Sequence, residues 1–232
     1  NIRCNISQGG AEMELSYMDY ICYLVKQSEI AKPIYSAGLA QKVAERFAMP
    51  IKKAAMATAV ALKRILDGRL INDFRFYKKG IYYRTKVTPF GELGIDKEAV
   101  IADKYLAGDN GYESGLSLLH KWGLTTQIPN EKVIVTNVVA HGARKDKVLG
   151  IITKSPKIAV NKDNKRYLQV LDVLDILNRA PVDAEEPYQV IAKLIDRLGL
   201  SYGMLLALAG KYYNRNTVKQ LSKTAIAGGL AA

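Results

Sequence analysis

The sequence predicts an α+β protein in two parts: an N-terminal winged helix-turn-helix, then a C-terminal α+β domain with a small antiparallel sheet and a helical tail. Three observations predict it. Helical spacing of apolar residues recurs three times before residue 68; the period then switches to two on either side of Lys78-Lys79-Gly80; and beyond Thr88-Pro89 short strand-like and long helix-like patterns follow one another. The expected domains are therefore residues 13–88 and 89–232, preceded by a processed or added leader over residues 1–12, since the first residue is Asn1 and Met13 could be a native start.

Each element has its own signal. Residues 15–26 place Leu15, Met18, Ile21, Cys22 and Val25 on one stripe, which makes a first helix. Pro33 bars helix in the residue before it, and Ser36 is placed to cap a second helix over residues 38–46. Pro50 suits the first turn of a third helix and Gly68 ends it, giving a helix over Ile51–Asp67. Residues 69–77 and 81–84, rich in aromatic and β-branched side chains, read as a hairpin with a basic tip. Further on, helices are expected over residues 92–107, 114–121, 165–178, 184–198, 201–213 and 216–227, and strands over 132–137, 148–153 and 157–160. Asp183 and Glu186 have capping-box spacing for the helix that follows. The helix over 201–213, apolar nearly all round, is expected either at the centre of a bundle, which is favoured, or as half of an interface.

The charge is informative once it is located. The 232 residues hold 34 Lys and Arg against 22 Asp and Glu, a formal charge of +12. Residues 51–86 alone hold ten basic side chains and two acidic ones. A surplus so concentrated asks for a polyanionic partner, and double-stranded DNA fits a third helix followed by a basic wing. At 100° per residue the inner stripe of the third helix is expected at Ile51, Ala55, Thr58, Ala59, Leu62, Ile65 and Leu66. Lys53, Ala57, Val60 and Arg64 then face outward, flanked by Lys52, Met56 and Lys63. Lys52 and Lys53 are expected in the major groove, where small neighbours let the backbone approach base edges, and Arg75, Lys78 and Lys79 on phosphates.

The same reading excludes much. With 49% hydrophobic residues the chain is not intrinsically disordered, and no apolar run nears the roughly 20 residues of a membrane span, so no membrane partner and a cytoplasmic location are expected. Cys4 and Cys22 are too few for a disulfide framework. His120 and His141 stand in no metal-ligand spacing, and no phosphate loop or nucleophile elbow occurs, so neither metal nor cofactor is expected. Asp172 and Asp175, one helical turn apart, read as the wet side of an amphipathic helix. A two-metal carboxylate pair is the alternative, and with it a nucleic-acid-processing enzyme.

Several segments carry a family resemblance. They are Lys79-Gly80-Ile81-Tyr82-Tyr83 at the hairpin, Phe90-Gly91-Glu92-Leu93 after it, Gly111-Tyr112-Glu113-Ser114-Gly115-Leu116-Ser117-Leu118, and Trp122-Gly123-Leu124-Thr125-Thr126-Gln127-Ile128-Pro129-Asn130. Together the chain resembles the AbiEi-type antitoxins, transcriptional regulators of viral defence systems, over about residues 15–198. The resemblance implies a winged helix that represses its own promoter. It also implies a C-terminal domain that neutralises a nucleotidyltransferase-class toxin in a type IV toxin–antitoxin pair, without catalytic activity of its own. It implies no particular antitoxin residue.

Overall fold

The computed structural model describes residues 16–229. The leader expected over residues 1–12 lies outside them. The fold is α+β, in two compact units that divide between Val100 and Ile101.

The first unit runs α1 (Tyr17–Gln27), β1 (Ile34–Tyr35), α2 (Ser36–Arg46), α3 (Ile51–Asp67), β2 (Phe74–Lys78) and β3 (Ile81–Arg84). Ser16 caps α1, accepting a hydrogen bond from the Asp19 N–H at 3.2 Å. Ser36 is not the cap expected of it. It is the first residue of α2, and its N–H donates to the Gly80 carbonyl at the turn of the β2–β3 hairpin, 3.0 Å away. β3 lies between β1 and β2, antiparallel to both, so the wing is joined to the helices by a ladder as well as by packing. This is the arrangement of a winged helix-turn-helix. Its core gathers Ile21 and Val25 of α1, Leu39 and Val43 of α2, Leu62 and Ile65 of α3, and Phe74.

The unit extends past the boundary expected at residue 88. β4 (Val87–Thr88) and β5 (Gly91–Glu92) form a second hairpin where the sequence suggests the start of a long helix. Gly91, at φ +108°, and Pro89 suit a turn and not a helix. The following stretch is fastened back: the Thr85 hydroxyl donates to the Leu93 carbonyl (2.7 Å), the Asp96 N–H donates to the Ala31 carbonyl (2.8 Å), and Lys32 pairs with Asp96 (2.8 Å). Helix begins only at α4 (Lys97–Ile101), where Asp96 accepts from the Ala99 N–H. It passes into a π-helical turn, Ala102–Leu106.

The second unit contains β6 (Gly111–Ser114), α5 (Leu116–Lys121), β7 (Lys132–Thr136), β8 (Ala143–Asp146) and β9 (Ile151–Lys154). Four helices follow: α6 (Lys165–Ile176), α7 (Pro187–Arg197), α8 (Tyr202–Tyr212) and α9 (Arg215–Ala227). The sheet has the order β6-β7-β9-β8 and is antiparallel except for the β7–β9 pair. Residues 157–160, expected as a strand, join no ladder. Instead the Asn137 side chain takes the place of one, accepting from the Val160 N–H and donating to its carbonyl, both at 2.8 Å. Gly115, at φ +73°, lies so close to β7 that a Cβ would stand 2.9 Å from the Val133 side chain.

Two expectations for the helices change. Asp183 and Glu186 form no capping box. The Asp183 carboxylate accepts from the N–H and hydroxyl of Thr126 (2.7 and 2.6 Å), which ties the Thr125-Thr126 turn to the approach to α7. α8 is not central: Leu205 and Ala209 are buried, whereas Met204 and Leu206 are about half exposed at 50% and 53%.

The centre of the second unit is polar at one point. Asp172 of α6 accepts hydrogen bonds from the hydroxyls of Tyr213 (2.7 Å), Tyr112 (3.0 Å) and Ser114 (3.1 Å), so α6, β6 and the end of α8 meet on one carboxylate. Burial pushes this carboxyl above the usual carboxylate range, against the pull of the three donors. Asp175 accepts from Asn214 (2.7 Å) and Thr217 (2.8 Å) and pairs with Lys157 (3.3 Å). The pair is therefore not the wet side of a helix, as its spacing suggests, but a bolt between helices.

Two stability measurements follow from this packing. Asp172→Ala orphans three hydroxyls and should destabilise the chain by about 3 kcal/mol in urea unfolding. In α3 the Thr58 hydroxyl is buried with no hydrogen-bond partner. Thr58→Val removes it at nearly constant shape and should raise stability by about 1 kcal/mol, seen as a higher urea midpoint.

Candidate nucleic-acid interface

Burial fixes how α3 is turned. Ala54, Thr58, Ala61, Leu62 and Ile65 face inward, so Ile51, Ala55 and Ala59, expected inside, are exposed. The helix is rotated from the expected setting because Ala54 and Ala61 are small enough to lie against the neighbouring helices, which apolarity alone does not reveal. The outward stripe is Lys52, Met56, Val60 and Lys63, at helical spacing of four, four and three residues, with Met56 71% and Val60 51% exposed. Lys53 and Arg64 flank it and are exposed. Ala57, expected at the centre of the outward face, is half-buried at its edge.

None of Lys52, Lys53, Lys63 and Arg64 has an acidic partner among the described residues. The only acidic side chain of α3 is Asp67, in its last turn. Lys52 and Lys53 occupy the first turn, where the helix dipole already concentrates positive potential and where an acidic residue would be the stabilising choice.

The hairpin residues divide. Lys79 is exposed at the tip, and the Lys78 ammonium lies 5.7 Å from the centre of the Tyr77 ring. The tip is held against the first turn of α2 through the Ser36–Gly80 hydrogen bond. Arg75, expected on phosphate, is engaged elsewhere. Its guanidinium makes a two-pronged ion pair with Glu92 of β5 (2.6 and 3.2 Å) and donates to the carbonyls of Asn72 and Phe74. The hydrogen bond from Arg75 holds the Glu92 carboxyl below its usual range, and the same contact raises the guanidinium. Sequence position showed Arg75 on a strand but not its partner seventeen residues on.

The sequence reading also missed the β4–β5 hairpin as a surface feature. Phe90 at its turn is fully exposed and Val87 80% exposed, so two large apolar side chains stand clear of the unit on a mount clipped to the wing by Arg75–Glu92. The Thr88-Pro89-Phe90-Gly91 run was the available signal, a Pro-x-Gly turn between two extended residues.

In the second unit the other chemistry considered does not assemble. Asp172 and Asp175 are occupied as described, the His120 Nδ1 lies 3.2 Å from the Thr125 carbonyl, and His141 is exposed. Among the described residues no group of three or more His, Cys, Asp or Glu side chains is placed to hold a metal ion, and no helix is long and apolar enough to cross a membrane.

No family model matches the chain, and no curated protein matches it. Among solved structures it is similar to the RV2827C protein from Mycobacterium tuberculosis, at 12% identity and a TM-score of 0.46, over 97% of this chain and 82% of that one. A likeness at that level carries no functional argument.

Proposed function

We propose that the chain is a non-enzymatic, duplex-DNA-binding repressor that acts on its own promoter and serves as the antitoxin of a type IV toxin–antitoxin pair. In this reading α3 enters the major groove and the wing tip lies on the flanking backbone. The observation that carries it is the outward stripe of α3: four cations without acidic partners around Met56 and Val60, on the third helix of a winged helix. Two of those cations stand where the helix dipole disfavours them, so they weaken the free protein and are compensated by an anion. The Met56 and Val60 side chains offer apolar contact to base edges, thymine methyl groups in particular. The antitoxin half rests on the family resemblance. Co-expression with a nucleotidyltransferase-class toxin should restore growth if it is right, and leave growth arrested if it is wrong.

The DNA half has a quantitative test. With about six phosphates neutralised, log K for a promoter duplex should fall against log salt with a slope of about −5; a slope near zero would dismiss the reading. Lys78→Ala with Lys79→Ala should weaken all duplexes alike and flatten that slope, while Lys52→Ala or Met56→Ala should relax preference for the promoter over an unrelated duplex. Glu92→Ala should do the opposite of the wing changes. It releases Arg75 and removes a negative charge, so sequence-independent binding tightens and the slope steepens by about one.

A further inference from the structure

A second concentration of unpaired positive charge lies in the C-terminal unit. Lys104 on the π-helical turn, Arg144 on β8 and Lys147 just after it line one open cleft of about 510 Å³, with Tyr105, Val138 and Val139 as its apolar side. The size is that of a site for a small ligand. Lys104 is forty residues from Arg144 in the chain, so the fold and not local sequence brings them together. The mount is firm on both sides. The Thr136 hydroxyl donates to the Tyr105 carbonyl (3.0 Å), and the Thr153 hydroxyl donates to the Arg144 carbonyl (3.2 Å).

The lining carries four cations against one carboxylate, so a net positive charge faces the cleft. Lys145, the fourth cation in the lining, is paired with Glu131 at 2.6 Å. Asp146, the acidic residue in the lining, uses Oδ1 to accept from the N–H groups of Val148 and Leu149 (3.1 and 3.0 Å). Lys104, Arg144 and Lys147 have no acidic partner among the described residues, and the Lys104 ammonium lies over the Tyr105 ring at 4.8 Å. Basic residues on an exposed edge strand such as β8 discourage pairing with other chains, which accounts for Arg144 and Lys145. It does not account for Lys104, which comes from another element and adds to the repulsion.

We propose that this cleft binds the phosphate groups of a nucleotide unit, either free or within a single strand. Arg144 offers a planar fork to phosphate oxygens, Lys104 and Lys147 add mobile charge, and the exposed Val138 gives a base an apolar surface. The site shares no residue with α3 and stands whether or not α3 binds DNA.

The test uses the full chain, ATP and a fluorescein-labelled ten-residue oligothymidylate. Lys104→Gln, Arg144→Gln and Lys147→Gln are combined in one variant, and Lys52→Gln with Lys63→Gln in a control variant. The unaltered chain and the control should bind at least one probe, by calorimetry for ATP or anisotropy for the oligonucleotide, and the cleft variant about tenfold more weakly. Binding of ATP assigns a free nucleotide as the source of the phosphate, and binding of the oligonucleotide alone assigns a strand. For the strand, losing three contacts should flatten the salt slope by about two. In the unaltered chain the bound probe should also shield Lys104 and Lys147, but not Lys193 on α7, from acetylation read by mass spectrometry. Failure of both probes to bind, undiminished binding by the cleft variant, or equal acetylation with and without probe would each overturn the proposal.

Discussion

Burying Ala54, Thr58, Ala61, Leu62 and Ile65 against α1, α2 and Phe74 sets the rotation of α3 about its axis, and with it the side chains that a partner can reach. A helix has one degree of freedom that its sequence does not announce. Turning α3 by one residue would exchange Met56 for Ala57 at the centre of its outer face and bring Lys53 forward in place of Lys52. The packing excludes that setting, since it would drive long side chains into α2 and leave Ala54 and Ala61 facing water. The choice among four basic residues is thus made in the interior, by two alanines.

In the C-terminal unit the corresponding constraint is polar. Asp172 collects three hydroxyls from β6 and the end of α8, and Asp175 collects the beginning of α9. Buried carboxylates are expensive unless their acceptor capacity is filled, and here it is filled largely by neutral donors, with Lys157 pairing with Asp175 and its charge also favouring the ionised Asp172. Such a centre specifies one packing among the several that leucine-rich helices could adopt. It holds in place the sheet on which the cationic cleft is built.

How much of this was legible follows from the range of each signal. The bounds of α3 were readable because Pro50 and Gly68 punctuate it, and the wing because period two stands out beside period 3.6. β6 was hidden because Gly111-Tyr112-Glu113-Ser114 lacks β-branched residues; it is a strand because Gly111 and Gly115 let it lie close to its neighbours. The Asp172 bolt joins residues some 60 and 41 apart, and the Arg75–Glu92 pair spans 17. No local pattern reports such pairs. For the same reason the charge count located the surplus in residues 51–86 but could not say that Arg75 was already engaged, or that Lys104 would meet Arg144.

The crowding of Lys52 and Lys53 into the opening turn of α3 has one more outcome. In the free protein, dissolved ions screen their mutual repulsion and that of a chain carrying +12, so added electrolyte should make the amino-terminal unit harder to unfold. The same electrolyte competes for any polyanion docked there. Ionic strength therefore acts with opposite sign on the fold and on its attachment, and a buffer chosen to preserve the one works against the other.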